Sequence, residues 1–188
     1  MSKQAMGVIV GSNRRESINR RLALALAALL ADRYDIRFIR IDDLPMYNQD
    51  LEADRPPEVR RFVADVAGVA AVLFVTPEHN RSIPAVLKNA IDWGSKPTDQ
   101  NVWRGKPAAI TGTSFGAIGT AVGQQHLRQI LGILGMTVMG GEAYITFKPD
   151  PVDHDGHFID DAKRAFCSAY MNQFAALVRL LAPPATSG

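Results

Sequence analysis

Three short segments of the 188-residue chain gather hydroxyl, amide, guanidinium and imidazole groups beside turn-forming glycine or proline. The first is Gly11-Ser12-Asn13-Arg14-Arg15-Glu16-Ser17, which follows an apolar run and opens a stretch of helical period. Hydroxyls from Ser12 and Ser17, a guanidinium from Arg14, and the free backbone N–H groups of a helix start around Ile18 and Asn19 are what a phosphate needs. Neither Gly-x4-Gly-Lys-[Ser/Thr] nor Gly-x-Gly-x-x-Gly occurs, so this is neither a P-loop nor a dinucleotide fingerprint. A plainer reading stays open, in which Ser17 only caps the helix and the arginines are solvated.

The second segment is Thr76-Pro77-Glu78-His79-Asn80-Arg81-Ser82-Ile83-Pro84. Its prolines stiffen it, and Ser82 is expected to cap a helix whose first turn holds Pro84. A stiff loop with unpaired N–H groups can face a planar heterocycle. Glu78 reads otherwise as a loop carboxylate near Lys88, and His79 either as an acid/base or as an exposed imidazole without a task. The third segment, Gly112-Thr113-Ser114-Phe115-Gly116, spells Gly-x-Ser-x-Gly between a strand and a helix, the setting of a nucleophile elbow. Ser114, Asp153 and His157 follow the chain order of such a triad, so a serine hydrolase is a competing reading that leaves the other two segments without work.

What positions these loops is an alternation of short apolar runs with longer amphipathic stretches. Strands are expected over 6–10, 36–41, 69–75 and 107–113, with a fifth over 136–139 and 143–146 interrupted at Gly140-Gly141. Helices are expected over 19–31, 58–66, 84–93, 118–134 and 158–181. Apolar runs without alternation are buried on both faces, as in a parallel sheet covered by helices. Five βα units in one domain give an α/β three-layer sandwich, with ligands beyond the carboxyl ends of its strands. The three loops follow strands one, three and four and therefore converge.

The motifs resemble those of the NADPH-dependent FMN reductases, which include chromate, quinone and azo-dye reductases. Gly11-Ser12-x-Arg14-x-x-Ser17-x-Asn19-x-x-Leu22-Ala23 is similar to that family's first signature. Pro77-Glu78-His79-Asn80-x-Ser82-x-Pro84-x-x-Leu87-Lys88-Asn89-Ala90-Ile91-Asp92-Trp93 is similar to the second and more specific one. Gly105-Lys106-Pro107, leading to Thr113-Ser114-x-Gly116 and Gly119, resembles the third. The resemblance covers residues 5–146. It implies a flavodoxin-like fold with a five-stranded parallel sheet in the order 2-1-3-4-5, and FMN bound without a covalent bond. It assigns the FMN phosphate to Ser12, Arg14, Ser17, Ile18 and Asn19. Pro77, Glu78, His79, Asn80 and Ser82 would meet the flavin ring and ribityl chain, with Thr113, Ser114, Phe115 and Gly116 on its other side. The family usually carries Tyr where this chain has His79. The implied activity is hydride transfer from NADPH or NADH through FMN to small acceptors such as quinones, azo compounds, chromate-type oxyanions or free flavin. No side chain of the protein need then be catalytic. A flavodoxin-type electron carrier is the rival, although such carriers resemble acidic versions of the fold.

This chain is balanced, with 21 Lys+Arg against 19 Asp+Glu, which does not suggest a nucleic-acid or membrane-surface binder. No apolar run approaches the ~20 residues of a membrane span, so a cytoplasmic protein is expected. It is read as a single domain over residues 1–182 with a flexible tail over 183–188. Cys167 is the only cysteine, allowing no internal disulfide, and is expected to be buried and inert. Residues 150–157 collect acids and imidazoles, but Pro151 and Ala162 fall where a calcium loop needs first and last ligands. His154 and His157 lack a third zinc ligand, leaving a solvated loop and no expected metal. His126 reads as structural. The helix over 118–134 carries Leu127, Ile130, Leu131, Ile133 and Leu134 on more than one stripe, which with the resemblance points to a homodimer or homotetramer. Met46, Tyr47 and Trp103 would then line a neighbour's substrate pocket.

Overall fold

The computed structural model describes residues 3–182, so the expected tail over 183–188 lies outside the described residues. Its strands are β1 (Gln4–Val10), β2 (Tyr34–Phe38), β3 (Ala71–Val75), β4 (Pro107–Ser114), β5 (Thr137–Val138) and β6 (Tyr144–Thr146). The helices are α1 (Ile18–Ala28), α2 (Pro57–Ala67), α3 (Ala85–Ser95), α4 (Ala121–Ile133) and α5 (Asp161–Leu181). All pairings are parallel, in the order β2-β1-β3-β4-β5, with β6 also pairing with β4. That is the flavodoxin-like order of a doubly wound sheet.

The split fifth strand has a register cause. β5 pairs with Pro107 and Ala108 at the start of β4, and β6 with residues from Gly112 to Ser114 at its end. The chain between them leaves the ladder around Gly140-Gly141, where Gly141 has φ +83°. β3 is buried at every position, as an apolar run in a central strand must be. One face of the sheet packs Leu22, Leu26 and Leu30 of the α1 region against Met171, Phe174 and Val178 of α5. The other packs Phe62 of α2, Leu87 and Trp93 of α3, and Leu127 and Leu131 of α4.

Trp103 belongs to this second core rather than to a substrate pocket. It is fully buried, donates its indole N–H to the Ile91 carbonyl at 3.0 Å, and lies against Gly94, where a Cβ would come within 2.6 Å of the ring. The 150–157 loop is likewise packed rather than simply solvated. Pro151, Val152 and Gly156 are buried, and Arg21 of α1 donates to the Asp153 and Val152 carbonyls. α4 turns only part of its apolar set outward: Leu127 and Leu131 are buried, whereas Ile133 is 85% exposed.

Candidate active site

The three loops meet in one crevice of about 200 Å³ at the carboxyl ends of β1, β3 and β4. Its walls include Ser12, Arg14, Ser17, Ile18, Asn19, Pro77, Glu78, His79, Thr113, Ser114 and Phe115. Gly11, Asn13, Pro84 and Val86 line it too, none of them among the residues expected to contact FMN. Asn80, Ser82 and Gly116 lie outside its lining.

Close strand packing brings the loops together. A Cβ on Gly112 would stand 1.9 Å from the Thr76 carbonyl oxygen, and one on Gly11 would stand 2.3 Å from the Thr76 hydroxyl. Only glycine lets the ends of β1 and β4 close around Thr76. This contact, rather than an elbow, explains Gly112 in the Gly-x-Ser-x-Gly string. Ser114 ends β4 and donates to the Gly119 carbonyl at 2.6 Å. No hydrogen bond joins it to a histidine among the described residues. His157 instead sits with Nδ1 3.2 Å from Asp153 Oδ2, and Asp153 Oδ1 accepts from the Asp155 and His157 N–H groups. The backbone N–H of His157 is the main reason the Asp153 carboxyl lies below its ordinary pKa. The acids and imidazole over 153–157 thus tie their own turn, and the hydrolase arrangement does not assemble.

At the start of α1, Ser17 accepts the Arg20 N–H at 3.2 Å, so it does cap the helix. Capping uses a lone pair and leaves its O–H free to donate. Among the described residues the backbone N–H groups of Ser17, Ile18 and Asn19 have no acceptor within the chain. Such groups at a helix start are the donors that bind an anion, and they fit a phosphate. Asn19 has a different part from the one expected. Its side chain is 2% exposed and exchanges two hydrogen bonds with the backbone of Thr113, 3.0 Å to the carbonyl and 2.9 Å from the N–H. Only its backbone N–H remains free at the helix start; the side chain locks α1 to β4. Thr113 is also committed, its hydroxyl donating to the Ile145 carbonyl at 2.7 Å.

The loop after β3 is a two-residue turn, not a helix cap. His79 and Ser82 exchange both backbone hydrogen bonds at 2.9 Å, and Asn80 and Arg81 between them have φ +51° and +65°. Left-handed backbone at both central positions makes the tightest hairpin turn. α3 therefore starts at Ala85 with Pro84 as its N-cap and no side-chain cap. Glu78 does not approach Lys88, which pairs with Asp92. Its carboxylate accepts from the Gly123 N–H at 2.9 Å and from Arg81 Nη1 at 3.2 Å. His79 is exposed, and His126, exposed as well, places Nδ1 3.1 Å from Ser82 Oγ. Phe115 is 54% exposed over the crevice and meets Phe147 edge to face at 5.9 Å.

Cys167 is not part of the crevice lining; it is buried in the α5 core beside β6, and burial pushes its thiol up to about 12. Met46 is 74% exposed, while Tyr47 donates its hydroxyl to Glu52. No helix among the described residues is long and apolar enough to cross a membrane.

Comparison with known proteins agrees with this geometry. The family model for NADPH-dependent FMN reductases matches residues 5–150. A 2-hydroxy-1,4-benzoquinone reductase of Burkholderia sp is 45% identical over 175 residues, covering 93% of this chain and 96% of that protein. The flavoenzyme NAD(P)H:(acceptor) oxidoreductase FerB of Paracoccus denitrificans superposes with a TM-score of 0.91 at 39% identity, covering 95% of this chain and 98% of FerB. A WrbA-like flavodoxin of Agrobacterium tumefaciens, 18% identical, superposes with a TM-score of 0.63 over 96% of this chain and 99% of its own, which speaks for the fold alone.

Proposed function

The chain belongs to the NADPH-dependent FMN reductase family, and from that premise we propose that it passes electrons from NAD(P)H through FMN to small quinones. It is an NAD(P)H-dependent flavin oxidoreductase acting on small-molecule acceptors. The observation that carries the reading is the free set of N–H groups at Ser17, Ile18 and Asn19, facing a crevice walled by two further loops.

FMN supplies the redox chemistry, accepting hydride from a nicotinamide and giving up two electrons to the acceptor. The residues of this chain bind and orient it. Ser12, Arg14, Ser17 and the first N–H groups of α1 would hold the phosphate. Pro77, Glu78, His79 and the turn at Asn80-Arg81 would present rigid backbone to the ring, with Ser82 fixing that turn rather than touching the ring. Thr113, Ser114, Phe115 and Gly116 would border the opposite side, where the N–H groups of Phe115 and Gly116 have no acceptor among the described residues. Donors preset toward the ring favour the negative charge it gains on reduction.

A quinone is the favoured acceptor because the exposed Phe115 ring and the stiff 77–84 loop offer flat surfaces against which a planar oxidant can stack. Phe115 in the crevice wall, Ile118 on the loop that follows it and Tyr144 opposite Gly112 expose apolar surface. A second copy of the chain would cover that surface, giving a homodimer or homotetramer. A single buried thiol and dependence on NAD(P)H suit the cytoplasm.

The test is anaerobic. Purified protein should retain a yellow flavin band that NADPH bleaches and 1,4-benzoquinone restores. A retained band that NADPH leaves unchanged would make the protein an electron carrier. Absence of flavin binding would overturn the proposal.

A further inference from the structure

A second and larger cavity, about 440 Å³, lies on the far side of the 12–14 loop from the flavin crevice. Ser12, Asn13 and Arg14 line both spaces, so the loop is a shared wall. The floor is apolar, with Val10 of β1 and Phe38 of β2, the latter 38% exposed at the sheet edge. The rim is cationic: Arg14, Arg15, Arg20 and Arg40 stand around it, with Asp42 as the one acid.

The state of those guanidinium groups is informative. Arg40 is already neutralised, bound to Asp42 through two contacts of 2.8 and 3.3 Å and 3.5 Å from Asp43. Among the described residues the side chains of Arg14, Arg15 and Arg20 have neither a carboxylate nor a carbonyl partner. Elsewhere Arg21 holds Asp150 and two carbonyls, Arg61 holds Asp43, and Arg128 holds two carbonyls; Arg104, Arg164 and Arg179 also lack such partners among the described residues, but none of them lines this cavity. Three exposed guanidinium groups without partners around one concavity make it electropositive, a setting that favours an anion. One flavin phosphate, held at the start of α1, does not account for three.

The cavity's volume falls in the ~300–1,000 Å³ range of small-molecule sites, and it joins an aromatic floor to a cationic rim. That pairing suits a nucleotide, with the base on Phe38 and phosphate at the guanidinium groups. Given the proposed reductase activity, on which this step rests, the reaction requires one phosphorylated ligand besides FMN, and it must reach the flavin crevice. We infer that this cavity takes the adenosine end of the electron donor, with Arg15 and Arg20 recognising the 2′-phosphate that distinguishes NADPH from NADH. Arg14, in the shared wall, stays with the flavin phosphate.

The test is a calorimetric titration of the flavin-loaded protein with adenosine 2′,5′-bisphosphate and with 5′-AMP. The bisphosphate should bind at least about tenfold more tightly, as expected for one or two added charge-assisted hydrogen bonds. In the exposed double variant Arg15→Ala/Arg20→Ala that preference should fall to about twofold, with flavin content unchanged; Arg20→Lys should keep part of it. In turnover, the KM for NADPH should rise about tenfold in the double variant while the KM for NADH moves less than about twofold. Equal affinity for the two nucleotides in the unaltered protein would overturn the inference, as would a preference that survives the double substitution. Inorganic phosphate competing as well as the bisphosphate would reduce the cavity to a bare anion site and overturn it too. Failure of the underlying functional reading looks different: no flavin is retained by the unaltered protein, whatever the nucleotide titration shows.

Discussion

The carboxylate of Glu78, in the turn after β3, accepts the backbone N–H of Gly123 in the first turn of α4 at 2.9 Å. α4 has no side-chain cap of its own, since the Thr120 hydroxyl is engaged by the Gln124 amide at 2.8 Å. Glu78 caps the helix from another loop, placing negative charge at the positive end of the helix dipole. Its second oxygen holds Arg81, whose φ of +65° is uncommon for any residue with a Cβ. One carboxylate thus fixes the strained turn of one crevice loop and the helix that follows another.

Replacing Glu78 with Ala should therefore lower stability by about 1–3 kcal/mol, the range for a charge-assisted bond lost from a mostly buried site. Glu78→Gln keeps an acceptor for Gly123 and should lose about 0.3–1 kcal/mol, the share due to the helix dipole. Urea unfolding curves of the two variants give the comparison. Equal losses would show that the bond to Gly123 contributes little.

Asn19 yields a sharper chemical test. Its amide donates to and accepts from the same backbone unit at Thr113, in a place almost closed to water. Asn19→Asp preserves the size but turns the donor into an acceptor facing the Thr113 carbonyl. The loss should be about 2–4 kcal/mol, since one bond is removed and a buried carbonyl meets negative charge. Chemical unfolding measures it. Asn19→Asp as stable as the parent at neutral pH would mean that the α1–β4 lock is not made.

The parallel three-layer architecture and the convergence of three loops were legible because both follow from continuous apolar runs and the rule that ligands sit at strand carboxyl ends, whereas the strand order came only with the family resemblance. The roles of individual polar residues were less so. Asn19 and Thr113 read as ligand contacts because hydroxyl and amide groups look alike in a sequence whether they face a ligand or a neighbouring strand. Their partners lie 94 and 32 residues away. Ser82 looked like a helix cap because Pro84 follows it, yet two residues in left-handed backbone close the chain on His79 first. Trp103 sits near the chain's surface loops in sequence, but Gly94 opens a slot for its ring that pattern does not reveal. The unpaired state of Arg15 and Arg20 is equally invisible until the carboxylates have been placed.

Cys167 should govern part of the alkaline limit. Burial raises its thiol from 9.0 to about 12, so between those values the unfolded chain releases a proton that the folded protein keeps. Stability contributed by this group is whole below pH 9 and declines as pH rises toward 12, by up to about 1.4 kcal/mol per pH unit. Between pH 9 and 10 the fall should be shallower in Cys167→Ala, whatever that variant's starting stability. Identical slopes would contradict the linkage. In the same picture, iodoacetamide at pH 8 should label Cys167 only after unfolding.

The phosphate grip makes an uneven demand on side chains, and that unevenness can be measured. Ser17 spends a lone pair on the Arg20 N–H and keeps its proton for an anion, whereas Arg14 is exposed at the mouth of the crevice. Removing both, as Ser17→Ala/Arg14→Ala, should weaken FMN binding by about 3–5 kcal/mol, since each change deletes a contact to a charged group. The cap lost with Ser17 should cost about 1 kcal/mol of stability in addition, which unfolding of the flavin-free proteins reads separately. His79→Tyr changes an exposed ring in the crevice wall and leaves the backbone of the turn as it is. It should retain FMN while altering the ratio of quinone to free-flavin reduction. FMN affinity unchanged in the double variant would remove the phosphate from the start of α1. Affinity lost in His79→Tyr would instead place the imidazole itself among the groups that hold the flavin.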